Sequence, residues 1–235
     1  QHYGFWYRHS RFESWWGSHV RGGRKVWGMA RQRMTGPQRR DQLMNVGRAA
    51  FAERGFEGTT VEEIASRAGV SKPVIYEHFG GKEGLYRAVV EREMERLQAA
   101  IVGVIQEGRW HERIQNGVLA LLTYVEEETD GFLIVVHGQL PGQERTYSTV
   151  LNRVTAQVSY LLAQAFEHRG LDTQAATLYG QALVGTVSNT ALWWLDERTP
   201  DKQSAALHIT NLCWNGLRGL EALPHTQPDL TGKDA

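Results

Sequence analysis

One cysteine in 235 residues, Cys213, leaves no partner for an intramolecular disulfide and no cysteine-based zinc site. It lies in an apolar helical pattern, so it reads as a small buried hydrophobe rather than a redox sensor. No apolar run approaches the ~18 residues of a membrane span, and a secretory signal is lacking. The expected compartment is therefore the cytoplasm, with no membrane partner. Prolines are absent from the helical interiors: Pro73 opens one helix, Pro141 and Pro200 separate others, and Pro224 and Pro228 fall in the tail. Enzyme signatures are also missing. There is no Gly-rich phosphate loop, no GxSxG elbow and no HExxH, and the nine histidines are dispersed. The expectation is a protein that is not an enzyme and needs neither cofactor nor metal.

Net charge is absent too, at zero, but only as a sum. Residues 29–82 carry nine Arg or Lys against six Asp or Glu, and residues 1–28 carry five against one. The remainder is correspondingly acidic. A basic end suits phosphates, and an acidic body discourages non-specific wrapping on DNA.

The most informative stretch runs from Thr60 to Phe79, Thr60-Val61-Glu62-Glu63-Ile64-Ala65 followed by Ala68-Gly69-Val70-Ser71-Lys72-Pro73-Val74-Ile75-Tyr76-Glu77-His78-Phe79. Thr60 and Glu63 stand at capping-box spacing, and Ile64, Ala65 and Ala68 give the first helix an apolar face. Gly69 ends it in a left-handed turn, Ser71 is positioned to cap the next helix, and Pro73 sits in that helix's first turn. Gly80-Gly81 then stops the second helix, and Lys82 opens a third. Two short helices joined by a tight turn form a unit that lays its second helix in the DNA major groove.

Together with Ala49-Ala50-Phe51-Ala52-Glu53-Arg54-Gly55-Phe56 before it and Lys82-Glu83-Gly84-Leu85-Tyr86 after it, this stretch resembles the TetR family of ligand-responsive transcriptional regulators. The resemblance is tight over about 37–90 and only architectural from there to about 220. It implies an all-α fold with an N-terminal three-helix helix-turn-helix head (34–81) and a helical ligand-binding and dimerisation body (82–220). It implies a double-stranded DNA operator as partner, a homodimer through the last two helices and a hydrophobic small-molecule effector. The expected action is that of a repressor released from a palindromic operator. The alternatives are a ligand-dependent activator and an architectural DNA binder without an effector.

The DNA-facing candidates are Ser71, Lys72, Pro73, Val74 and Tyr76 on the leading turns of the second helix. Lys72 suits guanine acceptors, and Pro73 and Val74 suit a thymine methyl. Thr60, Tyr76, His78 and Lys82 match the family's phosphate-contacting positions. In the body, Trp110, Tyr124, Phe132, His137, Tyr160, Asn189 and Trp193 are pocket candidates, because they pair apolar bulk with one polar group. Spacing over 131–140 and 182–217, with Trp-Leu-Asp at 194–196 and Trp-Asn-Gly at 214–216, is similar to that of the family's lipid-metabolism regulators. That makes an acyl-type ligand the first expectation.

Helical periodicity places a first helix at about 37–54, ended by Gly55, and a long one from Lys82. The stripe of the long helix is Tyr86, Val90, Met94, Leu97, Ile101 and Ile105. Further helices are expected over about 111–128, 131–139, 144–169, 172–197 and 201–220. The acidic run Glu126-Glu127-Glu128 reads as a solvated face. Residues 175–195 are apolar on almost every side and need cover on every side. Residues 1–28 hold four of the eight tryptophans, without a helical or strand period. Residues 1–33 are expected to be a disordered or spurious extension, the alternative being a basic aromatic arm. Residues 221–235 are expected to be a disordered tail.

Overall fold

The computed structural model describes residues 34–138 and 146–221, and the expectations for the two ends lie almost wholly outside them. Among the described residues there are nine α-helices, one 3-10 turn and no strand. The helices are α1 (Gly36–Gly58), α2 (Val61–Ala68), α3 (Lys72–Phe79), α4 (Lys82–Ile105), α5 (Trp110–Glu127), α6 (Thr129–His137), α7 (Thr146–Arg169), α8 (Ala176–Glu197) and α9 (Lys202–Arg218). The fold is all-α, as the periodicity implies.

Local signals set the ends of the first helices. Gly55 breaks α1 at φ 69°, ψ 177°, and one further turn carries the chain to Gly58. The Thr60 hydroxyl oxygen caps α2 by accepting from the Glu63 N–H at 3.2 Å. Gly69 closes α2 at φ 64°, a conformation that costs a Cβ-bearing residue about 1–2 kcal/mol. Ser71 stands at the N-cap of α3 but makes no side-chain cap bond, contrary to expectation. Its backbone carbonyl still accepts from the Val74 N–H. α3 ends at Gly80, and α4 starts at once. A Cβ on Gly84 would overlap the Phe79 carbonyl oxygen, so a glycine here lets α4 start directly against the end of α3.

The long α1 and the two short helices α2 and α3 pack on the first half of α4. Leu43, Ile64, Ile75, Leu85, Val89 and Val90 have no exposed surface, and each contributes about 1.5–3 kcal/mol through burial. The second half of α4 joins α5, α7, α8 and α9 around a separate core containing Leu97, Leu122, Val125, Phe132 and Trp194. Cys213 is buried there, and burial pushes its thiol pKa up. Of the expected α4 stripe, Tyr86, Val90, Leu97 and Ile105 are buried, while Met94 and Ile101 are half-buried.

The acidic run is not simply solvated. Glu128 pairs with Arg48 of α1 at 2.5 Å, and Glu126 pairs with Lys202 at the start of α9 at 2.6 Å. No helix among the described residues is long and apolar enough to cross a membrane.

Candidate nucleic-acid interface and ligand cavity

α3 shows its solvent side through Ser71, Lys72, Pro73, Tyr76 and Glu77, all exposed. Ile75 points the other way and is fully buried, which fixes the rotation of this eight-residue helix. Val74 is half-buried against the core, so its reach towards a base is shorter than that of its neighbours. Tyr76 is 54% exposed, and its ring lies beside Gly81, whose φ of 134° is a conformation that favours glycine.

Each cation expected to meet DNA already has a protein partner. Lys72 is ion-paired with Glu62 of α2, both exposed, and this hydrogen bond holds the Glu62 carboxyl below its usual range. Lys82 donates to the Phe56 carbonyl at 3.0 Å and lies 4.2 Å over the Phe56 ring. An ammonium has three donors, so Lys82 keeps two for an anion. Thr60 accepts the cap bond on its hydroxyl oxygen and retains its hydroxyl proton for donation. The half-buried His78 ring lies 6.2 Å from that of Phe79. Sequence reasoning missed Arg40. This exposed guanidinium donates to the His78 carbonyl at 2.7 Å and stacks 4.3 Å over Phe79, which puts a cation at the end of α3. The Arg39-Arg40 pair in the first helical turn was the available signal.

The body contains an apolar cavity of about 100 Å³. Leu97, Ile101 and Ile105 of α4 form one wall, and Val150, Val154 and Val158 of α7 form another. α5 and α8 supply the rest, with Cys213 from α9. Among the described residues, Arg113 is the only charged one on the wall. Tyr147 also lines it; its hydroxyl donates weakly to the Ser188 carbonyl at 3.5 Å, and burial pushes its pKa up to about 12.

Of the seven pocket candidates, Trp110 alone lines this cavity. Phe132 is fully buried in the neighbouring core, edge-on to Tyr147 at 5.9 Å. His137, Tyr160, Asn189 and Trp193 are exposed, Tyr160 by 59% and Trp193 by 52%. Tyr124 borders a larger but open surface depression with Val104, Asn116 and Glu128. The wall is mostly Val, Leu and Ile, side chains that a helical pattern reads as ordinary core.

Between head and cavity lies a buried charge cluster. Glu93 of α4 has no exposed surface. It accepts from the Tyr124 hydroxyl at 3.0 Å and from Arg96 at 3.2 Å, and it lies 3.5 Å from Arg48 of α1. Burial opposes the Arg48 charge, but Glu93 and Glu128 overcome it and hold the guanidinium above its ordinary pKa. Burial, with the Glu93 charge adding to it, pushes the Tyr124 phenol up, so it stays a donor. Gly131 of α6 closes the cluster, because a Cβ there would collide with Glu93 Oε2. Sequence reasoning missed Glu93, since a lone carboxylate within an otherwise mixed helix looks like surface.

Comparison with known proteins agrees with this architecture. Residues 43–89 match the family model for bacterial regulatory proteins of the tetR family, and residues 110–216 match that for the tetracyclin repressor-like C-terminal domain. The HTH-type transcriptional activator FasR of Mycolicibacterium smegmatis is 30% identical over 190 residues, covering 79% of this chain and 85% of that one. The HTH-type transcriptional repressor AcnR of Corynebacterium glutamicum is 34% identical over 62 residues, covering 26% of this chain and 33% of its own. A TetR-like transcriptional regulator from Rhodococcus sp. RHA1 superposes with a TM-score of 0.63 at 25% identity, over 80% of this chain and all of that one. The fatty acid degradation regulator FadR from Bacillus halodurans shares the fold, with a TM-score of 0.61 at 22% identity over 79% of this chain and 99% of its own.

Proposed function

The chain belongs to the TetR family of bacterial regulatory proteins, and we propose that it is a sequence-specific transcriptional regulator whose grip on a near-palindromic operator is loosened by a hydrophobic small molecule bound in the body. One observation carries the reading. α4 is a single uninterrupted helix that starts against the recognition helix at Lys82 and forms a cavity wall from Leu97 to Ile105. The cavity wall begins about 22 Å along it. A change of cavity volume therefore has a stiff element through which to move the head.

One head offers few contacts to base edges. A two-fold dimer doubles them and reads half-sites about one helical turn, ~34–36 Å, apart. The exposed faces of α8 and α9 support that dimer. Leu178 is 69% exposed and Leu212 66%, and Leu178, Ala182, Gly185, Asn189 and Trp193 line up at steps of three and four. On this reading the candidates Asn189 and Trp193 belong to the subunit interface, and Tyr160 lies outside the ligand site.

In the proposed interface, Lys72 and Tyr76 face bases while Thr60, Lys82 and Arg40 face phosphates. Lys72 exchanges Glu62 for a guanine acceptor, so the α2–α3 ion pair orients it before DNA arrives. Ligand response requires unequal affinity for two head positions, since tight binding alone shifts nothing. The cavity volume of about 100 Å³ lies below the ~300–1,000 Å³ of sites that hold drug-sized ligands. A ligand must therefore widen it, and the unliganded and liganded bodies differ for that reason.

The direction of regulation has two readings. Release of a repressor is the first. An activator is the second, favoured because FasR, a relative matched over most of the chain, is named as an activator. Selecting DNA fragments with the purified protein, then measuring operator affinity with and without hydrophobic ligands, tests the function. Coupling of about 5–150-fold is expected. An operator affinity unchanged by every ligand that fills the cavity would leave the ligand-free architectural role in its place.

A further inference from the structure

Among the described residues, Arg198 is the only one other than glycine with a positive φ, at 55°. It ends α8 in the left-handed conformation, where a Cβ is crowded and glycine is the unstrained choice. What the arginine offers in return is its side chain. Nε donates to the Leu195 carbonyl at 2.9 Å, which turns the guanidinium back along the end of α8. Nη2 donates to the Val125 carbonyl at 3.3 Å and lies 3.5 Å from the Thr129 hydroxyl oxygen. The guanidinium rests 4.9 Å from the centroid of the Trp194 ring. That buried indole is fixed in turn by the bond from its Nε1 to the Pro200 carbonyl at 2.7 Å.

Val125 and Thr129 flank the corner between α5 and α6, where a single residue, Glu128, joins the two helices. The Glu128 N–H donates to the Tyr124 carbonyl of α5, and its carbonyl accepts from the Phe132 N–H of α6, both at 2.9 Å. The corner therefore has no slack. The Glu128 carboxylate reaches Arg48 of α1, in the head, at 2.5 Å. Lys202, the first residue of α9, adds a further tie to the same corner through Glu126 at 2.6 Å. The corner is thus bonded both to the α8–α9 turn and to the head. One turn before Arg198, α8 carries the exposed Trp193 on the face proposed above to meet a second subunit, and the next residue, the inward Trp194, supports Arg198.

We propose that Arg198 is a positioning residue for DNA recognition. It locks the α5–α6 corner to the end of α8 and, through Glu128 and Arg48, fixes each head relative to the subunit face, so that the dimer accepts one half-site spacing. This rests on the palindrome-reading dimer above. The requirement is tight. One extra base pair moves a half-site by about 3.4 Å and turns it by about 35°. A head with a few ångströms of play would accept neighbouring spacings. Packing of Ile134 in the head core gives the head its place, and the bonds through the corner, being directional, give it its angle.

The test uses the full chain and a series of duplexes that carry the selected half-site as an inverted repeat, with the spacer changed by single base pairs. The readout is the ratio of affinity for the best spacing to affinity for its neighbours. Lost stability lowers the active fraction equally on every duplex and leaves this ratio alone, so the ratio reports head position. Arg198→Gly suits the backbone at this φ and removes the side chain. It should lower the ratio about tenfold, the scale of one hydrogen bond to a charged group. Glu128→Ala cuts the tie to Arg48 on the same route and should flatten the profile as well. The double variant should be no flatter than the flatter single one, because both changes break one route. A sharp wild-type profile that Arg198→Gly leaves unchanged overturns the inference, and so does a double variant whose losses add. A wild-type chain without any spacing preference overturns the palindrome-reading dimer itself, and the inference with it.

Discussion

The two halves of α4 lie in different surroundings. From Leu85 to Val90 the helix is locked among α1, α2 and α3, with Leu85, Val89 and Val90 fully buried. From Leu97 to Ile105 it borders a cavity. Glu93 sits between, with Tyr124, Arg96 and Arg48 around it. A filled region resists change of shape, whereas a region with free volume can change it at small cost. On the proposed function the filled half presents a fixed recognition helix and the hollow half registers a ligand. The polar cluster between them adds a few directional bonds to the apolar packing of Ile134 of α6 in the head core. Displacement of α4 there breaks or keeps discrete contacts, as a two-position device requires.

The largest expected effect lies at that pivot. Glu93→Ala leaves the half-buried Arg48 and Arg92 against fewer opposite charges, and Arg92 already has nitrogens without a hydrogen-bond partner. The expected loss is about 3–5 kcal/mol, the scale for removing one partner of a buried ion pair. Urea unfolding followed by circular dichroism measures it. Gly131→Ala should act in the same direction, because its Cβ meets the Glu93 carboxylate. A loss under about 1 kcal/mol for Glu93→Ala would mean that head and body are held together by packing rather than by this cluster.

Next in size is a paired test of filled against hollow. Val89→Phe in the filled half should cost about 1–3 kcal/mol, the usual result of overpacking. Val150→Phe on the cavity wall has space to enter and should cost under ~1 kcal/mol while abolishing the response of operator affinity to hydrophobic ligands. Equal costs would erase the contrast between the two regions.

The same contrast explains what could be read in advance. Head elements follow from near neighbours in sequence. Thr60 to Glu63, Gly69, Pro73 and Gly80-Gly81 act over four residues or fewer, so α2 and α3 were legible to within a residue or two. Even there, the Lys72–Glu62 and Lys82–Phe56 contacts were not, since each joins residues ten or more positions apart. The body helices were legible from their period, but the cavity was not. Whether Val154 or Leu183 fills space or borders it depends on how four helices meet, and neither residue differs in type from its filled counterparts. Choosing residues for aromatic bulk plus a polar group selected Tyr160 and Trp193, which the structure puts on the surface.

The smallest expected effect concerns the reading surface itself. Lys82→Ala should weaken operator and random DNA alike, by about 1 kcal/mol or roughly fivefold, and lower the slope of log affinity against log salt by about one. Lys82 is half-buried over Phe56, so some of that loss could come from the head's packing rather than from a phosphate. The salt slope separates the two causes, because lost packing leaves the number of displaced counterions unchanged. Lys72→Ala should also narrow the gap between operator and random DNA, since its partner on the operator is a base. It frees Glu62, whose unpaired carboxylate then faces the phosphates and adds repulsion. The double change Lys72→Ala with Glu62→Gln removes that repulsion. It should recover affinity for random DNA but not for the operator. Recovery of both by the double variant would show that Lys72 acts through its ion pair, and the base contact would pass to Tyr76 and Ser71.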